Sequence, residues 1–225
     1  ARRARGVPLG GAETTMGGSA AARVGAHPHL DVPGSVGNFA NDPVHIPRGD
    51  GQLCRRMVAL LGGTIGNLAP AQRTAMLHTL RAGMVAGDTF LLGTDLVKDR
   101  LRLVAAYDDA TGVTAAFNLN VLTHLNRELH ANFDVDGFTH RAIFNEAEQW
   151  IEMHLVSRRD QSVRIDDLDL DVSFGAGEAL RTEISAKFTP EGINAELGAA
   201  DLQVLEQWSD PDGDFLLTLA GVTND

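Results

Sequence analysis

Hydrophobic and polar positions along this chain change rhythm twice. Five apolar residues run unbroken from Met57 to Leu61, and a glycine-rich stretch, Gly62-Gly63-Thr64-Ile65-Gly66-Asn67, follows them. A short continuous run of this kind suits a strand buried on both faces of a parallel sheet. A helix is predicted from about Pro70, because proline is favoured in a first helical turn. Its apolar stripe is Met76, Leu77, Leu80 and Met84, recurring at three- and four-residue steps. Ala86-Gly87-Asp88 then turns the chain into a second apolar strand, Thr89 to Asp95. Strand, helix, strand with short connections is a right-handed crossover unit. Sites in such sheets lie beyond the carboxyl ends of the strands, which is where Asn67 and Asp95 stand.

The second rhythm begins after residue 96. Residues 97–131 read as helical, with Leu101, Val104, Phe117, Val121, Leu125 and Leu129 as core candidates. Residues 136–158 alternate like a hairpin around Phe138, Ile151, Met153 and Leu155, and residues 163–174 and 180–188 read as further short strands. This block interrupts the strand–helix alternation, so it is expected to be an inserted α+β subdomain over the carboxyl edge of the sheet. After Pro190 the third segment holds a helix (Ile193, Leu197) and two strands, Leu202–Trp208 and Phe215–Leu219, joined by Ser209-Asp210-Pro211-Asp212-Gly213-Asp214. A parallel sheet closed by a helix and a terminal antiparallel hairpin is the C-terminal half of a class I, Rossmann-like methyltransferase sheet. The expected fold class is therefore α/β.

Residues 1–51 contain 10 of the 24 glycines and 5 of the 8 prolines, and residues 1–18 show no apolar period. Within them Gly10-Gly11-Ala12-Glu13-Thr14-Thr15-Met16-Gly17-Gly18 resembles a phosphate loop only superficially, lacking a leading strand and a following apolar helix. The expected division is a disordered or non-native lead-in over 1–18, a partial sheet over 19–96 lacking its first strands, the subdomain over 97–188, and a closing helix and hairpin over 189–225.

Composition narrows the function classes. The 225 residues are 44% hydrophobic, enough for a core, and no apolar run reaches the length of a membrane span. Arg2, Arg3 and Arg5 are not followed by the apolar stretch of a signal peptide. The expectation is a monomeric cytoplasmic protein that touches neither membrane nor nucleic acid. A net charge of −11 agrees with the last point. That charge is concentrated in residues 160–225, where 15 Asp or Glu face only Arg164, Arg181 and Lys187, as on a solvated acidic face.

Cys54 is the single cysteine, which excludes an internal disulfide and a cysteine-built zinc site. The eight histidines show no HExxH spacing, and no GxSxG elbow is present, so neither metal nor covalent catalysis is expected. Asp210, Asp212 and Asp214 lack the glycine and the closing glutamate of a calcium loop and read as a hairpin turn. Asp167, Asp169 and Asp171 alternate with leucines and read as one solvated strand face. More suggestive are Asn67 after its glycine-rich turn, Tyr107 (the only tyrosine), and Glu183 with Ser185, two residues apart on one strand face.

Several longer runs carry a family resemblance. LLGGTIGNLAPAQR (60–73), LLGTDLVKDRLRLVAAYDDATGVTAAFNLNVL (91–122), IEMHL (151–155), RTEISAKF (181–188) and WSDPDGDFLLTLA (208–220) strongly resemble the actinobacterial histidine N-alpha-methyltransferases of ergothioneine biosynthesis. The likeness extends from about residue 19 to 220. It implies an S-adenosylmethionine-dependent transferase that trimethylates the alpha-amino group of L-histidine to hercynine. By resemblance, Asn67 and Tyr107 hold the amino-acid end of the substrate, Met153 lines the imidazole pocket, and Glu183 and Ser185 hydrogen-bond the ring. Asn38 and Phe39 align with an Asp-Phe pair that contacts the cofactor's adenine, with Asn in place of Asp. An amide oxygen accepts a hydrogen bond more weakly than a carboxylate.

The family's N-terminal substrate-binding portion, first strand, glycine-rich cofactor loop and ribose-binding acid are not recognisable in residues 1–40, so the chain reads as a copy lacking its N-terminal part. Two other readings stay open beside the methyltransferase: a non-catalytic remnant or histidine-binding fragment, and a methyltransferase for another small amine. The retained Glu183–Ser185 pair argues against the last.

Overall fold

The computed structural model describes residues 55–222, together with the backbone of two short strands, β1 (Leu9–Gly10) and β2 (Ser35–Val36), which pair in parallel. Asn38 and Phe39 lie outside the described residues, as does the expected lead-in over 1–18 apart from the backbone of β1.

Strand β3 (Met57–Leu60) runs into Gly62 and Gly63, both at left-handed φ (77° and 72°), and then into a 3-10 turn at Thr64–Asn67. Helix α1 (Pro70–Ala82) starts with Pro70 in its first turn, and Gln72 Oε1 accepts the Ala69 amide at 2.9 Å. The stripe Met76, Leu77, Leu80 and Met84 is buried, as its spacing predicts. Strand β4 (Thr89–Asp95) returns parallel to β3.

One expectation about β3 needs correction. It is not buried on both faces: Met57 is 59% exposed and Leu61 50%. Among the described residues β3 pairs only with β4, so one of its edges is open. A continuous apolar run signals double burial only where layers cover both faces of the strand; in β4, Phe90, Leu92 and Thr94 are buried on one face and Gly93 on the other.

The predicted helical block 97–131 is two helices, α2 (Arg100–Tyr107) and α3 (Val113–Glu128). Asp99 Oδ1 caps α2 by accepting the Arg102 amide at 3.0 Å. Between the helices, Asp109 accepts the amides of Val113 (3.1 Å) and Thr114 (2.8 Å), which starts α3 anew. This break shifts the phase of the apolar stripe. Leu103 and Leu122 are the buried leucines, Val104, Leu125 and Leu129 are partly buried, and the core candidates Leu101 (77%), Phe117 (64%) and Val121 (38%) are exposed. Asn118 takes a core position on α3 instead.

Beneath these helices lies a sheet of β5 (Phe138–Asn145), β6 (Trp150–Ser157) and β9 (Ala179–Ala186), antiparallel in the order β5-β6-β9. A hairpin of β7 (Gln161–Ile165) and β8 (Leu170–Phe174) is inserted between β6 and β9. Its core is aromatic, with Phe138 edge-on to Phe174 at 5.3 Å between centroids and Phe133 6.0 Å from Phe138. The acidic run Asp167, Asp169, Asp171 is not one strand face. Asp166–Leu168 forms a 3-10 turn, Asp169 is left-handed at φ 48°, and Arg164 pairs with Asp166, Asp169 and Asp171.

Helix α4 (Pro190–Ala199) is capped by Thr189 and packs Ile193 and Leu197 into the same core as α1. Arg73 of α1 clamps Glu196 of α4, with Nη2 to Oε1 at 2.8 Å. Strands β10 (Gln203–Ser209) and β11 (Phe215–Gly221) complete a four-stranded sheet in the order β10-β11-β4-β3. The hairpin turn predicted for Asp210–Asp214 is present. Asp210 Oδ1 accepts the amides of Asp214 (2.8 Å) and Phe215 (2.7 Å), and no metal-holding cluster occurs among the described residues.

What joins the two sheets decides where a site can form. Residues just past β9 run beside the end of β4: the Phe188 amide donates to Asp95 O, and the Val97 amide to Phe188 O, both at 2.9 Å. The 3-10 turn after β3 sits against the same segment. A Cβ on Gly66 would lie 2.9 Å from Ala186 O and 3.2 Å from Ala186 N, so only glycine permits this approach.

Candidate functional site

The convergence of β3, β4, α2 and β9 leaves a cavity of about 220 Å³ at the carboxyl ends of the two parallel strands. Gly62, Gly63, Thr64 and Asn67 form one wall, and Asp95 closes β4. Tyr107, the last residue of α2, faces Ser185 and Lys187 from β9 and its extension, and Phe215 completes the lining. This is the position expected from the crossover unit.

Three of the sequence-predicted residues, Asn67, Tyr107 and Ser185, line this one cavity. Glu183 and Met153 do not. They lie directly opposite each other across β9 and β6, one strand-step further along the face that carries Ser185. Met153 is 4% exposed and packs with Leu103, Ile151 and the ring of Tyr107 behind the cavity. Burial pushes the Glu183 carboxyl above its ordinary range.

Tyr107 is held from both ends. Its carbonyl accepts from His140 Nε2 at 2.8 Å. The other ring nitrogen of His140 then accepts from Asn118 Nδ2 at 2.9 Å, and Asn118 Oδ1 accepts from Thr182 at 2.6 Å. Burying Asn118 in the helix stripe thus fixes the end of α2. The Tyr107 hydroxyl lies 2.7 Å from Ser185 Oγ and accepts from Lys187 Nζ at 2.8 Å.

In the sequence Lys187 stands out only as one of three cations in an acidic stretch. Its side chain is fully buried, and its ammonium reaches Ser185 Oγ at 2.9 Å and Asp95 Oδ2 at 2.9 Å. The ammonium also stands 4.6 Å from the centroid of the Tyr107 ring. Lys98 binds the other Asp95 oxygen at 2.7 Å. Burial alone would raise the Asp95 carboxyl, but the hydrogen bonds and charges of Lys98 and Lys187 outweigh it and hold the group below its ordinary range. One signal could have found Lys187: Glu183, Ser185 and Lys187 continue a single period of two.

The turn over the cavity has room for a ligand. A Cβ on Gly62 would meet nothing within 4 Å, and one on Gly63 only Asp95 Cβ at 4.0 Å. A ligand can therefore approach the backbone of Gly62, Gly63 and Thr64.

The fold is that of the class I SAM-dependent methyltransferases, with mixed α/β topology and an inserted β-rich subdomain. A protein of Pyrococcus horikoshii OT3 of known crystal structure shares the fold at a TM-score of 0.51, with 9% identity over 97% of this chain and 74% of that one. The profile of one family, described as histidine-specific, SAM-dependent methyltransferase, matches residues 7–222, and the chain belongs to that family. The match begins inside the stretch that reads as a lead-in from sequence. The histidine N-alpha-methyltransferase of Mycolicibacterium smegmatis is 52% identical over 203 residues, spanning 90% of this chain and 62% of the relative. That of Mycobacterium tuberculosis is 51% identical over 191 residues, 85% and 58% of the two chains. The chain thus spans about three fifths of the length of these curated relatives. No helix among the described residues is long and apolar enough to cross a membrane.

Proposed function

We propose that this protein transfers methyl groups from S-adenosylmethionine to the alpha-amino nitrogen of L-histidine, forming the trimethylated betaine hercynine of ergothioneine biosynthesis. The observation that carries this reading is the meeting of Asn67, Tyr107 and Ser185 in one cavity at the carboxyl ends of β3 and β4. In this reading Asn67 and Tyr107 hold the amino-acid end of histidine. Glu183 and Ser185 hold the imidazole, with Met153 packed behind them.

S-adenosylmethionine supplies a methyl group on a sulfonium, and the transfer breaks one S–C bond and forms one N–C bond. The amine must arrive with its lone pair free, and its proton leaves to solvent before each transfer. The residues named act by alignment: near-attack geometry contributes roughly 7–11 kcal/mol to reactions of this kind. A site that hydrogen-bonds both imidazole nitrogens also rejects amino acids lacking them. Asn38 and Phe39 are proposed to contact the adenine of the cofactor, and Gly62, Gly63 and Thr64 to lie along it.

The test incubates the purified protein with S-adenosylmethionine and L-histidine and follows methylated histidines by mass spectrometry, beside calorimetric titrations of histidine and S-adenosylhomocysteine. The trimethylated product is the expected result. Histidine binding without turnover would replace the enzyme reading with that of a histidine-binding protein. Absence of both binding and turnover in folded protein would overturn the proposal.

A further inference from the structure

We propose that Lys187 is a positioning residue that fixes the hydrogen of Tyr107: with Lys187 and Ser185 both donating to the Tyr107 oxygen, its hydroxyl faces the substrate carboxylate as a donor. The inference rests on the reading of the cavity as a histidine site.

An ammonium has three hydrogens and no lone pair. Lys187 Nζ has three acceptors in reach, Tyr107 Oη at 2.8 Å, Ser185 Oγ at 2.9 Å and Asp95 Oδ2 at 2.9 Å, so its donors are all used. Both hydroxyl oxygens therefore accept from Lys187. The two hydroxyls also bond each other at 2.7 Å, and only one of them can donate in that bond.

If Tyr107 donates, Ser185 Oγ accepts twice and its own hydrogen is free. If Ser185 donates, Tyr107 Oη accepts twice and the phenolic hydrogen is free. The doubly accepting oxygen has no lone pair left and meets a ligand only as a donor, while the other hydroxyl keeps one lone pair. The second arrangement suits the site: Tyr107 presents its hydrogen to the carboxylate, and Ser185 Oγ keeps a lone pair for an imidazole N–H. Without Lys187 each hydroxyl could turn to offer a lone pair instead.

Charge selects the kind of acceptor. Lys98 and Lys187 both lean on the single carboxylate of Asp95, which leaves this wall of the cavity with surplus positive charge. A nearby Asp214 carboxylate, 3.8 Å from Lys98, is itself bonded to Arg102. The group that complements a lone O–H donor backed by a buried ammonium is an anion, and in histidine that is the carboxylate.

The experiment compares L-histidine with histamine, which keeps the imidazole and the amine but lacks the carboxylate. Calorimetric titrations use wild-type protein and Lys187→Met, with thermal melting as a check on folding. The variant is expected to lose about tenfold or more in histidine affinity, the scale of a charge-assisted hydrogen bond. Its affinity for histamine should stay within about threefold, because no carboxylate contact is lost. Equal losses for the two ligands, or no loss for either, would overturn the inference alone. Wild-type protein that fails to bind histidine would overturn the histidine reading and this inference with it. Should Lys187→Met not fold, Lys187→Gln carries the same comparison, since its amide can still donate but has no charge.

Discussion

Glu152 offers the sharpest test of how the subdomain sheet is held. It lies on β6 next to Met153, and its side chain therefore points to the opposite face from the cavity. Its carboxylate accepts from Trp150 Nε1 at 2.8 Å and Asn145 Nδ2 at 3.1 Å, and bonds His154 Nε2 at 2.9 Å. The Trp150 hydrogen bond does most to hold the carboxyl down, at about 2 against an ordinary 4.5. Burial opposes it, while Asn145 and His154 add to it. A carboxyl depressed on folding stabilises the folded state when ionised, so the contribution is full above pH 4.5 and declines as the pH falls toward 2.

At about 1.4 kcal/mol per unit, the contribution is on the order of 3 kcal/mol near neutral pH and about half that at pH 3. Glu152→Gln keeps the shape and much of the hydrogen bonding but removes the titration. Urea unfolding of both proteins from pH 7 to pH 3, in constant salt, reads the difference directly. The stability gap should be largest at pH 7 and shrink by about half at pH 3. A gap that stays constant with pH, or that widens in acid, would refute the assignment of the stabilisation to the ionised carboxylate.

Four further substitutions probe other parts of the structure. Gly66→Ala forces a Cβ within 2.9 Å of Ala186 O, so it should cost about 1–3 kcal/mol in chemical denaturation and weaken histidine binding by moving the turn that carries Asn67. For Glu183 the sign is reversed: burial raises its pKa, so ionisation costs stability as pH rises through that value. Glu183→Gln should therefore melt higher than wild type near pH 7, with the difference vanishing in acid, while histidine affinity falls more than affinity for S-adenosylhomocysteine. On α3, Leu122→Ala should cost about 2–5 kcal/mol as a core cavity. Phe117→Ala, at an exposed position, should stay within about 0.5 kcal/mol, and equal costs would restore the helical stripe read from sequence.

The crossover unit was legible because its pattern is local. Proline at the start of α1, the stripe Met76–Met84 and the two apolar runs each follow from spacing a few residues long, and they place Asn67 and Asp95 at the strand ends. The closing hairpin was legible for the same reason, since Asp210 makes its turn with its own neighbours. The helical block failed in part where one aspartate, Asp109, restarts the helix: Asn118 and Leu122 turn inward in place of Phe117 and Val121, while Leu125 and Leu129 keep their expected places. A side chain accepting two backbone amides outweighs the periodicity on either side of it.

From its sequence alone this protein is determined to be an α/β chain of one family, with Asn67, Tyr107, Glu183 and Ser185 as its candidate polar groups. Tertiary structure decided which of them meet. Ser185 reaches Tyr107 because the segment after β9 is stitched to the end of β4, and that contact spans 78 residues of sequence. It also decided that Lys187 is a buried member of the site and not one more surface charge. Hydrophobic period records which face of an element is covered; the partner of a buried polar group is set by long-range packing, and spacing along the chain carries no record of it.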